Sequence, residues 1–235
     1  GYFFGTYLKK LRQWDYIASR RPDVVLVNSN TTQSRIWKYY RRESQVIFPP
    51  INTKRFQKTV WVSREGKKYY IILSALTEFK RLDVAIKNFS ELSDIPLVII
   101  GEWSQRKELE SLVDWSKNIM FTGAKYGDEL VSLVQHSLGL IFPGEEDFGI
   151  VPIEVMAAWK PVFALRKGWL TETILEWISW EFFDDPGGKD FQEKFIAFHT
   201  KNISNKYSQE ACQKQASLYD KDVFRKKILE QVFPS

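Results

Sequence analysis

Ser137-Leu-Gly-Leu-Ile-Phe142, followed by Pro143-Gly-Glu-Glu-Asp-Phe-Gly-Ile-Val-Pro-Ile-Glu154, decides how the chain is read. The first six residues are short and apolar, as a buried strand is, and they stop at a Pro-Gly pair. Pro152 suits the first turn of a helix, where a missing N–H costs nothing, so a helix is predicted from about Ile150. Strand, loop and helix in that order make one βα unit. Open α/β sheets bind ligands beyond the carboxyl ends of their strands, which marks the loop after Phe142 as a candidate site. The N–H groups of Gly149, Ile150 and Val151 are expected to point out of the helix N-terminus, an arrangement suited to a diphosphate. Glu146 in the loop and Glu154 one turn into the helix can accept hydrogen bonds from two sets of hydroxyl groups. A plainer reading stays open, in which both carboxylates only favour the helix N-terminus.

The same alternation runs outward in both directions. Strand candidates are Asp23–Asn28, Gln45–Phe48, Tyr69–Ser74, Pro96–Gly101, Asn118–Phe121, Ser137–Phe142 and Pro161–Ala164. They are apolar on both faces, as strands of a parallel α/β sheet are. Between them, Leu82, Ala85, Ile86 and Phe89 follow helical spacing, and Leu130, Leu133 and Val134 mark another helix. Ser104 suits the cap of a helix through Val113, and an amphipathic helix is expected from about Lys221 to Val232. The pattern predicts a doubly wound, Rossmann-like parallel sheet. Pro49-Pro50-Ile-Asn-Thr-Lys-Arg-Phe56, opening on two prolines, interrupts it and reads as an interdomain linker. Residues 1–50 are then expected to be the tail of a truncated N-terminal domain, 51–216 the ligand-binding domain, and 217–235 a helix returning towards the N-terminal domain.

Composition narrows the function classes. The chain has 235 residues, and 44% hydrophobic content supports a sizeable core. No apolar run approaches the ~20 residues of a membrane span. Cys212 is the single cysteine, and with His136 and His199 the only histidines a zinc site is not expected. His136 reads as a surface or capping residue, and Asp184-Asp185-Pro-Gly-Gly188 as a turn and not a metal loop. Residues 1–60 hold 12 Lys/Arg against 3 Asp/Glu, interleaved with aromatics. Such a segment can contact an anionic membrane surface peripherally, or be a solvated face. No nucleic-acid module is recognised, so nucleic acid is not an expected partner.

Glu146 and Glu154 at this spacing after a strand ending in Phe-Pro, with Met156-Ala-Ala-x-x-Pro-Val162 behind them, resemble glycosyltransferase family 4. Asn28-Ser29, Val46–Phe56, Lys80-Arg-Leu-Asp83, Asn118–Gly123 and Glu172-Thr-Ile174 extend the resemblance over nearly the whole chain. It is especially similar to bacterial O-antigen and polysaccharide mannosyltransferases. The resemblance implies a two-domain GT-B fold, of which this chain is the C-terminal donor half. It implies a retaining transfer of a hexose from a nucleotide diphosphate sugar, GDP-mannose by analogy, to a saccharide or lipid-linked acceptor. Lys80 and Glu146 would be the catalytic pair, Lys80 neutralising the leaving diphosphate and Glu146 holding the hexose hydroxyls. Glu154 would hold the ribose, and Phe121, Thr122 and Gly123 would line the base pocket. Ser74, Arg81, Asp147, Phe148, Gly149, Ile150 and Val151 complete the implied donor site. No metal or other cofactor is implied, because cations and a helix terminus take its place. The implied location is cytoplasmic, at the inner membrane face for a lipid-linked acceptor.

Two departures stand out. The family's Ser-Arg-Leu segment reads Ser74-Ala75-Leu76 here, which removes one of two phosphate cations and is expected to weaken catalysis. Ala75 therefore also suits a scaffold that kept the fold and lost the chemistry. Secondly, Trp103, Trp159, Trp169, Trp177 and Trp180 stand where the family often has glycine. Trp159 and Trp169 are expected to crowd loops near the donor phosphates. UGA codons meant as glycine but translated as tryptophan would explain all five, and nine Trp beside only 12 Gly fits that account.

Overall fold

The computed structural model describes residues 2–58, 68–113, 116–173 and 180–233. The chain divides into two units, Gly1–Phe48 and Pro49–Ser235. The first holds helix α1 (Tyr2–Ala18), strand β1 (Leu26–Val27), helix α2 (Asn30–Tyr40) and strand β2 (Gln45–Val46). β1 and β2 pair in parallel, and both are shorter than the apolar runs that predicted them. Ser29 caps α2, its hydroxyl accepting the Thr32 N–H at 3.1 Å. No helix among the described residues is long and apolar enough to cross a membrane.

The second unit begins with α3 (Thr53–Gln57) and continues through β3 (Tyr70–Leu73), α4 (Leu82–Glu91), β4 (Leu97–Ile100), α5 (Arg106–Ser111), β5 (Ile119–Gly123) and α6 (Gly127–His136). It goes on through β6 (Gly139–Phe142), α7 (Ile150–Ala157), β7 (Val162–Leu165), α8 (Leu170–Thr173), β8 (Trp180–Phe183), α9 (Phe191–Ile203), α10 (Gln209–Ser217) and α11 (Lys221–Val232). Six strands form one parallel sheet in the order β5-β4-β3-β6-β7-β8. From β3 the chain winds outward to β5, then returns to lay β6 on the other side of β3 and winds outward again to β8. The doubly wound sheet expected from the sequence is therefore present, and its switch point lies between β3 and β6.

Alternate strand residues build the core. Tyr70, Ile72, Leu97, Ile99, Ile141, Phe163, Leu165 and Phe183 meet Leu82, Ala85, Ile86 and Phe89 of α4 and Phe191, Phe195 and Phe198 of α9 on one face. The intervening residues Ile71, Val98, Ile100, Leu140, Phe142, Val162 and Ala164 are buried as well, so both faces are covered. That is why the strands carry no polar alternation. Each fully buried Phe contributes roughly 1.5–3 kcal/mol of transfer free energy.

Three details differ from the sequence reading. Helix α5 is shorter than Ser104–Val113, and Gln105, not Ser104, precedes it. β8 is an additional strand, hidden in the sequence because its residues Trp-Glu-Phe-Phe were read as a tryptophan anomaly. The run expected as a linker holds the five-residue helix α3, its Thr53 hydroxyl bonded to Asp220. The Asp184–Gly188 turn is as expected, with Asp185 Oδ1 accepting the Gly187 N–H at 2.7 Å. His136 ends α6 as expected, its Nδ1 2.8 Å from the Ser132 carbonyl oxygen. Trp177 and Ile174 lie outside the described residues.

Candidate functional site

The carboxyl ends of β3 and β6 flank the switch point, and each is followed by a loop. After β3 the chain passes Ser74 and enters a 3-10 turn, Glu78–Lys80. After β6 it runs through Pro143–Phe148 to Gly149, the N-cap of α7. Gly144 brings the two loops together. A Cβ there would lie 2.8 Å from Lys80 Cα and 2.9 Å from the carbonyl oxygens of both Lys80 and Phe79. Only a residue without a side chain permits that approach. Gly168, in the loop after β7, does the same from the other side: its φ is +65°, and a Cβ would lie 2.5 Å from the Glu146 carbonyl oxygen. The Trp169 N–H donates to that oxygen at 3.1 Å.

The clamp sets Lys80 on Glu146. Their side chains form an ion pair and are 17% and 18% exposed. The ion pair thus lies at the switch point of a parallel sheet, the place where open α/β sheets bind ligands. Arg81 is turned elsewhere. It adopts φ +52°, and its guanidinium holds Asp83 at 3.1 and 3.3 Å. Asp83 also raises the Arg81 pKa through that hydrogen bond. Ser74 stays at the end of β3, its N–H donating to the Ile100 carbonyl oxygen at 3.1 Å.

Helix α7 starts at Ile150, as the sequence predicted. Its N-cap is Gly149, which has no side chain to satisfy the first-turn N–H groups. Ile150 is exposed and Val151 half-buried at this terminus, while Asp147 lies exposed in the loop before it. Phe148 points inward, its ring 4.2 Å from that of Trp169. Glu154 lies one turn along. Burial pushes its carboxyl up to about 7, against the lowering effect of Arg55 on α3, which packs on α7. Arg55 and the glycines 144 and 168 are site residues that sequence reasoning missed. The run holding Arg55 was read as a linker, and Gly144 showed only as part of a Pro-Gly stop.

Phe121, Thr122 and Gly123 sit on β5, two strands from β3 at the same end of the sheet. Thr122 Oγ1 donates to the Ile99 carbonyl oxygen at 3.3 Å, and Gly123 lies beside Glu102 and Arg106. This segment is thus on the ligand side but apart from the Lys80–Glu146 cluster.

The tryptophans separate into groups. Trp159 does not crowd the loops of the site, contrary to expectation. It follows α7 and lines a cavity of about 690 Å³ with Lys68, Tyr69, Ser137, Leu138 and Pro161, at the amino ends of β3, β6 and β7. Trp169 does stand behind the site loop, fully buried, with its indole N–H lacking a hydrogen-bond partner. Trp180 is buried in β8, its indole N–H on Met156 Sδ.

Residues 53–216 match the family described as glycosyl transferases group 1, and the chain belongs to that family. Its fold is of the GT-B type, shared with solved glycosyltransferases. Among these are HepE of Anabaena, with a TM-score of 0.80 at 16% identity over 93% of this chain and 65% of that one. Sucrose-phosphate synthase of Thermosynechococcus elongatus matches with a TM-score of 0.82 at 15% identity over 96% of this chain and 62% of that one. By sequence the chain is similar to alpha-1,3/1,6-mannosyltransferase ALG2 of Saccharomyces cerevisiae, 29% identical over 68% of this chain and 41% of that protein. It is 28% identical to the O-antigen chain mannosyltransferase RfbU of Salmonella typhimurium, over 59% of this chain and 40% of that protein. The chain spans well under half the length of these two curated relatives.

Proposed function

We propose that this chain forms the donor-binding half of a retaining glycosyltransferase that moves a hexose, mannose first among candidates, from a nucleoside diphosphate to an acceptor hydroxyl. The observation that carries the reading is the Lys80–Glu146 ion pair at the switch point. The names of the yeast and Salmonella relatives favour mannose. In this reading the bond from the anomeric carbon to the diphosphate oxygen breaks, and the acceptor oxygen bonds to that carbon on the same face. The acceptor proton leaves with the diphosphate. Lys80 and the uncapped N-terminus of α7, at Gly149, Ile150 and Val151, stabilise the charge growing on the leaving diphosphate. Glu146 accepts hydrogen bonds from hexose hydroxyls and Glu154 from the ribose. Ser74, Asp147 and Phe148 border the donor, and Phe121–Gly123 faces the base. These fixed charges and dipoles do the work for which other transferases use a metal ion. HepE has been crystallised with UDP and glucose, which supports a nucleotide as a ligand of this fold. The acceptor in this reading is a saccharide, as the name of the Salmonella O-antigen chain enzyme favours, or a lipid-linked one at the cytoplasmic membrane face, with the basic aromatic helix α1 as a peripheral contact.

Titration with GDP, UDP, GDP-mannose and UDP-glucose tests this. One nucleotide is expected to bind, and Glu154→Ala to weaken it. Failure of every nucleotide to bind overturns the reading. A second reading rests on Ala75 and on Arg81 being engaged by Asp83, which leave Lys80 as the cation of the β3 loop placed on Glu146. A domain that binds nucleotide yet supports no transfer when the complete protein is assayed would be such a scaffold.

A further inference from the structure

We infer that residues 103 and 159 are glycine in the protein made by its own cell, their codons being UGA read there as glycine. Trp159 and Trp103 both sit in turns with positive φ. Helix α7 ends at Ala157, with Ala158 as its C-cap. The Trp159 N–H then donates to the Met156 carbonyl oxygen at 2.9 Å, and the Lys160 N–H donates to the Val155 oxygen at 3.2 Å. These two bonds define a Schellman motif, whose residue after the C-cap must turn left-handed and is usually glycine. Trp159 occupies that place with φ +60°. The motif returns the chain to Pro161 and β7, so the fold dictates this conformation and not the side chain.

Trp103 makes the same point in a different loop. Its φ is +152°, matching the +150° of Gly101 two residues earlier. Arg41, Arg81, Asn205 and Trp159 also have positive φ, but they lie between 51° and 60°, in the small left-handed basin that side chains can enter, which a bulky residue rarely does. Among the described residues Trp103 is the one non-glycine residue near +150°. Its side chain is 68% exposed, so no packing compensates for the conformation.

Trp103 therefore stands at an angle that glycine alone adopts freely, Trp159 stands at a Schellman position that glycine usually fills, and both turns present tryptophan. Glycine and tryptophan are joined by one codon, UGA, which differs from the tryptophan codon UGG in its third base and is reassigned to either residue in variant genetic codes. Trp37 lies inside α2 and Trp14 inside α1, where tryptophan is conformationally ordinary. They serve as internal controls.

The test reads the codons and the product. UGA at 103 and 159 with UGG at 14 and 37 is expected, and peptides of the protein isolated from its own cell should have masses requiring glycine at 103 and 159. UGG at either position overturns the inference there, as does a native peptide carrying tryptophan. The conformational half is tested separately on recombinant protein. Trp159→Gly and Trp159→Ala remove the same ring and differ only in the conformation they allow. Trp159→Gly is expected to melt above Trp159→Ala by about 2–4 °C. Equal or reversed melting overturns the claim that the turn favours glycine.

Discussion

Lys80 and Glu146 meet across the switch point from two loops, one after β3 and one after β6, and neither residue is in a strand or an α-helix. Both side chains are less than one-fifth exposed, so removing either leaves the other charge half-buried without its partner. In the complete enzyme Lys80→Ala is expected to lower kcat by about 10²–10³, the usual scale for losing one positioned electrostatic group. Glu146→Ala should act on the hexose. The affinity for the sugar nucleotide should fall towards that of the bare nucleotide, whose own affinity should hold. Calorimetric titration of both ligands against both variants checks this, and equal losses for the two ligands would remove Glu146 from the hexose.

Glu154 gives a pH dependence. Its carboxyl is raised from 4.5 to about 7 by burial on α7. A carboxyl raised on folding holds its proton more tightly in the folded chain. Its contribution to stability is therefore complete below about 4.5 and declines as pH rises towards 7. At 1.36 kcal/mol per unit the whole decline is at most roughly 3 kcal/mol. Glu154→Gln should flatten stability between pH 4.5 and 7 in denaturant titrations. Nucleotide affinity should run the other way, rising with pH up to about 7 as the better hydrogen-bond acceptor, the carboxylate, forms. A wild-type affinity independent of pH across that window would show that Glu154 does not touch the nucleotide.

The sheet and the α7 terminus were legible because their determinants are local. Five of the six sheet strands, β3 to β7, fall on apolar runs, and Pro152 marks a helix start without reference to anything distant. β8 escaped because its first residue, Trp180, reads as standing in place of glycine and Glu181 interrupts its apolar run, and it pairs with β7. Within the site, Glu146 and Glu154 were visible as carboxylates on either side of a helix start. Arg55 was not, because its nearness to Glu154 comes from α3 packing on α7, a contact made across about a hundred residues of sequence. The direction of Arg81 was also beyond sequence reasoning. A left-handed φ and the pairing with Asp83 take it away from the role its neighbour Lys80 fills.

Gly144 tests the clamp itself. A methyl group there would lie 2.8 Å from Lys80 Cα, and the obstacle is backbone that cannot step aside like a flexible side chain. Gly144→Ala is expected to cost about 1–3 kcal/mol, the range for overpacking a close contact. At this chain length that lowers the melting temperature by about 2–4 °C per kcal/mol. Activity should fall more than stability, because the displacement separates Lys80 from Glu146. Gly5 is the control: a Cβ there meets nothing within 4 Å. If Gly144→Ala retains full turnover in the complete enzyme, the approach of the two loops is not what positions the pair.

Trp103→Gly is the converse experiment, a substitution that should stabilise. A bulky residue held at φ +152° carries backbone strain of roughly 1–3 kcal/mol. Glycine relieves it but costs about 0.5–1 kcal/mol in the entropy of the unfolded chain. Little burial is forfeited, since the indole is 68% exposed. The balance favours glycine by about 1 kcal/mol, or about 2–4 °C in melting temperature. Trp103→Ala, with the same loss of ring but no freedom at positive φ, should fall below Trp103→Gly. Trp37→Gly, inside α2, should destabilise by about 0.5 kcal/mol through helix propensity alone. Thermal denaturation of the three variants beside the parent chain gives the order. Glycine at 103 must come first and glycine at 37 below the parent if the strain lies where the backbone angles put it.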